Sequence, residues 1–236
     1  MSYLDGTVIP VSKSKRAEFI EHAEQMDRYF LAQGALKVVE AWGSNIAKGK
    51  TTDFRQAVDA KDDEDVVFSW ISWPDKKTRD AAMKTMMADK EMMAMPMPFD
   101  GKRMIYGGFE PIVEHGKDGR YIQGFVLPVK ADRKEDYRKM AEEAWAMFKD
   151  LGALSVVEAW QDDVAEGKQT DFFRSVKAEP GEKIVFSYMT WPSEKVAKEA
   201  QAKMEKDGSL KMPDDMPFDP QRMIWAGFEP VVELVH

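Results

Sequence analysis

The spacing of apolar positions switches between two and about three and a half along the first half of the chain, and each switch marks an element. Asp5 to Val11 is a largely apolar run that closes at Ser12 and reads as a strand. Phe19, Ala23, Met26, Phe30 and Leu31 then fall on one helical stripe among Glu, Lys and Arg, with Ser12 or Ser14 as the expected cap and Gly34 as the stop. Leu36 to Trp42 alternates again, placing Leu36, Val38, Glu40 and Trp42 on one face and Lys37, Val39 and Ala41 on the other. Phe54 to Val58 reads as a short strand and Val66 to Trp73 as a strong one, rich in β-branched and aromatic residues. Pro74 ends it, and Asp75 caps a helix running to about Asp89. Met92 to Pro98 reads as irregular. Arg103 to Val113 is the last long strand, and Gly107-Gly108 inside it marks a bulge or a close backbone approach.

The whole pattern then occurs a second time. Gly34-Ala35-Leu36 and Val38-Val39-Glu40-Ala41-Trp42 return as Gly152-Ala153-Leu154 and Val156-Val157-Glu158-Ala159-Trp160. Met97-Pro98-Phe99-Asp100, Arg103-Met104-Ile105 and Gly108-Phe109-Glu110-Pro111 return as Met216-Pro217-Phe218-Asp219, Arg222-Met223-Ile224 and Gly227-Phe228-Glu229-Pro230. The order β-α-β-(β)-β-α-β in each copy is the ferredoxin-like pattern, an antiparallel sheet with two helices on one face. Phe68 and Trp70 alternate with Val67 and Ile71, so both faces of that sheet are apolar and the face away from the helices needs a partner. The second repeat supplies it. The expected fold is α+β: two tandem ferredoxin-like repeats, residues 1–116 and 117–236, with antiparallel sheets packed face to face around an approximate two-fold axis as an intramolecular dimeric α/β barrel. Further self-association of this pseudo-dimer is left open.

Tyr3-x-Asp5-Gly6, Gly34-Ala35-Leu36-x-Val38-Val39-Glu40, Thr52-Asp53-Phe54, Val66-Val67-Phe68-Ser69-Trp70 and the stretch from Met97 to Glu110 resemble the YbaA-like family of small bacterial proteins. The resemblance covers nearly the whole chain, twice. It implies the dimeric α/β-barrel superfamily and leaves the activity open. The wider superfamily holds cofactor-free monooxygenases, haem-degrading enzymes, chlorite dismutases and muconolactone-isomerase-like enzymes, an analogy of fold alone. The chain departs from the family pattern in being fused. It also departs in its second copy, where Tyr188 stands for Trp70, Pro220-Gln221 for Gly101-Lys102 and Trp225-Ala226 for Tyr106-Gly107, so the two half-sites differ.

Composition narrows the function classes. A net charge of −8 without a basic stripe opposes nucleic acid and anionic membrane surfaces as partners. With no cysteine, disulfides, thiolate metal sites and a Cys nucleophile are excluded. No apolar run reaches the length of a membrane span and the start of the chain lacks the pattern of a signal peptide, so a cytoplasmic protein is expected. His22, His115 and His236 are unrepeated and widely spaced, and neither a phosphate loop nor a metal-binding spacing is present; no cofactor or metal is expected.

Glu40 and Glu158 are the acid/base candidates, carboxylates within otherwise apolar strands, where burial raises the pKa. Arg103 and Arg222 start the last strand of each repeat and are candidate ligand anchors, or else ties to neighbouring carboxylates such as Asp100. Trp42, Trp160, Trp70 and Tyr188 are candidate ligand-binding aromatics, against the ordinary role of aromatic core. Asp53 and Asp171 follow glycine turns and are expected chiefly to satisfy backbone N–H groups. The methionine-rich segment 83–97 reads as adaptable core packing or as a flap over the barrel mouth. The function expected is binding or conversion of a small apolar, aromatic or acidic metabolite in a cavity between the two sheets. The alternative is a non-catalytic structural, stress or protein-interaction module with a packed barrel.

Overall fold

The computed structural model describes residues 2–43, 46–207 and 215–236. Repeat 1 runs β1 (Tyr3–Ser12), α1 (Arg16–Ala32), β2 (Lys37–Gly43), α2 (Phe54–Ala57), β3 (Glu64–Trp73), α3 (Lys76–Ala88), α4 (Lys90–Met93) and β4 (Ile105–Gly116). Repeat 2 runs β5 (Tyr121–Lys130), α5 (Lys134–Asp150), β6 (Ser155–Asp163), α6 (Phe172–Ser175), β7 (Glu182–Trp191), α7 (Glu194–Asp207) and β8 (Ile224–Val235). The antiparallel strands close into one eight-stranded barrel in the order β1-β3-β2-β8-β5-β7-β6-β4. Each repeat contributes four neighbouring strands, and the seams are β2 with β8 and β4 with β6. The two sheets thus face each other as expected and are also hydrogen-bonded edge to edge, which leaves no exposed strand edge among the described residues.

Strand alternation sends Phe68 and Trp70 into the barrel and Val67, Ser69 and Ile71 outward, toward the helices. The lumen is filled with rings. Phe68 stacks on Phe186 at 4.5 Å, and Trp70 on Tyr188 at 4.0 Å. Two glycines make this packing possible: a Cβ on Gly6 would lie 2.7 Å from the Phe186 ring, and one on Gly124 would lie 2.9 Å from Phe68. Each aromatic pair adds about 0.5–1.5 kcal/mol beyond its burial.

Four local expectations are corrected. Residues 54–57 form a helical turn, α2, instead of a strand. The Asp53 carboxylate caps it by accepting from the Gln56 backbone N–H at 2.8 Å, and the turn drives Phe54 into the lumen, 5.3 Å from Phe228. Phe172 does the same from α6 against Phe109. Neither Ser12 nor Ser14 caps α1; a 3-10 turn at Lys13–Lys15 leads into it, and the two hydroxyls pair with each other at 3.0 Å. The segment after Asp89 begins as the short helix α4, because the Asp89 carboxylate accepts from the Glu91 and Met92 backbone. Finally, β4 starts at Ile105, and Arg103 belongs to the preceding turn. Asp75 does cap α3, accepting from Thr78 N at 2.7 Å.

Candidate functional site

The outer face of the repeat 1 sheet carries a polar row across four strands. Tyr106 on β4 pairs in register with Thr7 on β1, Thr7 with Ser69 on β3, and Ser69 with Glu40 on β2. At about 4.8 Å between strands, the row spans roughly 14 Å. It forms the floor of a cavity of about 440 Å³ between the sheet and the helices. Phe19, His22 and Asp27 of α1 form one wall. The seven methionines from Met83 to Met97 form the roof, and Met87, Met93 and Met97 also face solvent. Unbranched thioether side chains suit a wall that reshapes around an apolar ligand. The segment is therefore both packing and cover, placed over a cavity outside the barrel.

The acid end of the cavity is unusual. Glu40 and Asp27 are both buried, at 8% and 2% exposure, and no basic side chain pairs with either among the described residues. Ser69 donates to Glu40 Oε2. Asp27 Oδ2 is buried without a hydrogen-bond partner. Burial pushes the Glu40 carboxyl up to about 7, against the opposing hydrogen bond from Ser69. Burial, then the nearby charges of Glu40 and Glu24, push Asp27 up to about 9. The two carboxyls titrate as a pair. Around neutral pH the pair holds a proton it can exchange, which is the condition for general acid/base work. Burial lowers the pKa of His22, so the wall beside the pair favours a neutral imidazole.

The opposite end is a charged network built from both repeats. Asp5, 1% exposed, accepts from Trp73 Nε1 at 2.8 Å and from Arg79 Nε at 2.9 Å. Arg79 also donates to the Tyr106 hydroxyl and, at 2.7 Å, to Asp163 of repeat 2. Burial opposes the Arg79 charge, but its hydrogen bonds to Asp5 and Asp163 outweigh it and hold the guanidinium ionised. Next to it Tyr3 donates to Asp162 at 2.9 Å, and Lys76 pairs with the same carboxylate.

Repeat 2 keeps the glutamate and loses its surroundings. Its row reads Trp225, Phe125, Ser187, Glu158. Tyr137 stands where repeat 1 has Phe19 and donates to Glu158 Oε2 at 2.6 Å. Burial pushes Glu158 up to about 7, while the bonds from Tyr137 and Ser187 hold it down. By the same alignment Trp145 replaces Asp27, Gln123 replaces Asp5 and Ala197 replaces Arg79. Trp145 and Phe125 pack into the apolar cluster under α5 and α7.

The other candidates have structural places. Arg103 forks onto Glu64 through two 2.7 Å bonds and also holds Asp100 at 3.0 Å; Arg222 repeats this with Glu182 and Asp219. Their donors are taken by the first residue of β3 or β7 and by the aspartate of the turn before the last strand, and neither lines the cavity. Trp70 and Tyr188 stack inside the lumen, and the hollow beside Trp70 at the barrel rim, bordered by Lys37, Asp118 and Glu233, is about 10 Å³, room for about one water and not for a ligand. Trp42 packs on Phe19 at 5.9 Å and donates to Asp65 at 3.0 Å; Trp160 belongs to the corresponding cluster of repeat 2. Asp53 and Asp171 cap α2 and α6 and also accept from Gly49 and Gly167. The expected space between the sheets is thus filled, and the cavity lies on the helix side of repeat 1. A larger hollow of about 780 Å³ lies beside Lys48, Lys198 and Trp225, but Asp53, the buried carboxylate on its wall, is spent on capping α2.

Asp27, Asp5 and Arg79 were not among the sequence candidates. Asp27 had a signal: it lies four residues after Ala23 and three before Phe30, a charge on the apolar stripe of α1.

A family model described as a protein of unknown function, DUF1428, matches residues 2–101 and again residues 120–220. The chain belongs to the DUF1428 family. Within that family, the uncharacterised protein YbaA of Escherichia coli K12 is 50% identical over 116 residues, which cover 48% of this chain and 99% of that protein. YbaA of Shigella flexneri matches at the same level. Among solved structures, a Fusobacterium nucleatum protein provisionally described as a monooxygenase superposes with a TM-score of 0.60 at 10% identity, covering 99% of this DUF1428 chain and 94% of that one. A provisional monooxygenase of Lactobacillus acidophilus gives 0.58 at 11% identity, covering 99% and 96%. An anthrone oxidase-like protein gives 0.58 at 12% identity, covering 99% and 93%. At such identities these likenesses establish the barrel fold that the DUF1428 chain shares with them, and no more. No helix among the described residues is long and apolar enough to cross a membrane.

Proposed function

We propose that the cavity of repeat 1 binds a small, largely apolar molecule bearing a hydroxyl or an enolisable carbonyl, and that Glu40 and Asp27 exchange a proton with that group. The observation that carries this reading is the buried carboxyl pair on the cavity wall, with Asp27 Oδ2 unpartnered. A buried polar atom without a partner costs roughly 1–3 kcal/mol, which a ligand hydroxyl or a water recovers. The methionine and phenylalanine lining suits an apolar body, and two carboxyls disfavour a carboxylate ligand. The neighbours' description as provisional monooxygenases agrees with small-molecule chemistry at this fold. In this reading Glu158, bonded by Tyr137, has a structural role. Arg103, Arg222, Trp42, Trp160, Trp70 and Tyr188 support the fold around the cavity. The acidic charge and the lack of cysteine support a cytoplasmic protein without a nucleic-acid partner, built from units 1–116 and 117–236.

The filled lumen supports the packed-barrel alternative for the barrel itself, but that reading leaves the outer cavity unexplained. The test is a thermal-shift screen of phenols, enolisable ketones and aromatic carboxylic acids on the wild-type chain and on Asp27→Asn/Glu40→Gln. Stabilisation by phenols or ketones in the wild type alone supports the proposal. Equal shifts in both proteins, or none in either, sink it.

A further inference from the structure

The polar row has two ends, and they differ in kind. At one end Glu40 and Asp27 present carboxyls. About 14 Å away across four strands, the Tyr106 hydroxyl is held by Arg79. Arg79 is fixed in turn by Asp5 from its own repeat and by Asp163, 2.7 Å away, from the other. Between the ends lie only Thr7 and Ser69 on the floor and apolar side chains on the roof. Arg79 donates into the Tyr106 oxygen and the Tyr106 hydrogen is turned to the Asp5 carboxylate, so that phenol is left with one lone pair to accept from a ligand hydroxyl. The corresponding place in repeat 2 has Ala197 for Arg79 and Trp225 for Tyr106, and Asn45 is the residue that aligns with Asp163. The far end is thus assembled on one side of the barrel, from residues of both repeats.

We infer that the ligand of this cavity is gripped at two ends, with an oxygen function at each, and that Asp163 of repeat 2 is a positioning residue for the second grip through Arg79 and Tyr106. The ligand class is an elongated apolar or aromatic molecule oxygenated at both extremities. The inference rests on the function proposed above and adds the length and the second polar group. It also gives the second repeat a part in the site beyond closing the barrel: among the described residues there is one complete site, and repeat 2 completes it.

Two rod-shaped probes separate the grips, 4-hydroxybiphenyl and 4,4′-dihydroxybiphenyl, titrated calorimetrically into the full chain. The wild type is expected to bind the diphenol about ten-fold more tightly, the gain of one well-made hydrogen bond to a fixed acceptor. Tyr106→Phe brings that ratio near one, and Asp163→Asn at least halves it. Glu40→Gln weakens both probes alike and leaves the ratio. The side chains of Tyr106 and Asp163 are partly exposed, so both variants are expected to keep the wild-type circular dichroism. Equal affinity of the two probes for the wild type overturns the second grip and leaves the underlying function standing. A ratio unmoved by Asp163→Asn overturns the part of repeat 2. Failure of both probes to bind overturns the underlying function and this inference with it.

Discussion

Replacing Glu40 with Gln makes the charge state of the cavity visible as stability. Burial holds the Glu40 carboxyl up to about 7, against an ordinary value of 4.5. Between those values the native chain keeps a proton that the unfolded chain has released. The native state then binds more protons, so raising the pH favours unfolding. At about 1.4 kcal/mol per pH unit, a span of about 2.5 corresponds to ~3 kcal/mol of stability present at pH 4.5 and lost by pH 7 to 8. Asp27, pushed up to about 9, adds a loss of the same sign that continues further into alkali. Glutamine has no proton to lose, and its amide still reaches Ser69. Urea unfolding followed by tryptophan fluorescence, at pH 5 and pH 8 and constant ionic strength, gives the comparison. The wild type is expected to lose about 3 kcal/mol more than Glu40→Gln between the two pH values, with the variant the more stable protein at pH 8. Glu158 contributes a similar slope to both proteins and cancels in the difference. Parallel stability curves would refute the argument, because they require a Glu40 that titrates in the folded chain as it does in water.

Two further outcomes test the scaffold. Arg103→Ala leaves Glu64 buried without its fork and is expected to cost about 3–5 kcal/mol, with the biphenol affinity ratio unchanged; a lost ratio in a stable variant would restore Arg103 as a ligand anchor. Residues 1–116 expressed alone expose the edges of β2 and β4 and one open apolar face, so they are expected to form a dimer by light scattering. A soluble monomer would contradict the seam geometry.

Much of this architecture is legible in the chain, and the unread part has a definite cause. Period-two alternation says which residues share a face, and it grouped Glu40 with Trp42 and Val38 correctly. It does not say which face is filled. Phe68, Trp70, Phe186 and Tyr188 could equally have lined a ligand space; only the two glycines opposite the phenylalanine rings, and the caps that turn Phe54 and Phe172 inward, decide that the lumen closes. Arg103 reads as an anchor because its partner Glu64 lies 39 residues away at the start of β3, among Asp62, Asp63 and Asp65, with several carboxylates to choose from. Asp5, Arg79 and Asp163 come from β1, α3 and the end of β6, and no local spacing connects them. Asp27 was within reach, since a carboxylate on the buried stripe of a helix breaks the pattern that predicts the helix.

The internal duplication offers its own control on these assignments. Positions that serve the barrel are the same in both copies: Phe54 and Phe172 plug the lumen, Phe68 and Phe186 stack across it, and Arg103–Glu64 and Arg222–Glu182 tie the same turn. Positions around the two glutamates diverge together. Thr7, Phe19, Asp27, Arg79 and Tyr106 in one copy face Phe125, Tyr137, Trp145, Ala197 and Trp225 in the other. If Glu40 served packing alone, repeat 2 shows how such a glutamate is accommodated: a tyrosine hydroxyl bonds it and aromatic rings take the neighbouring space. Repeat 1 has neither device and leaves a cavity of about 440 Å³ beside an unpartnered carboxyl oxygen. An empty apolar volume and an unsatisfied buried acid both cost stability. Among the described residues the other half bonds its glutamate through Tyr137 and Ser187, so the unpartnered acid beside the repeat 1 cavity is what the proposed ligand accounts for.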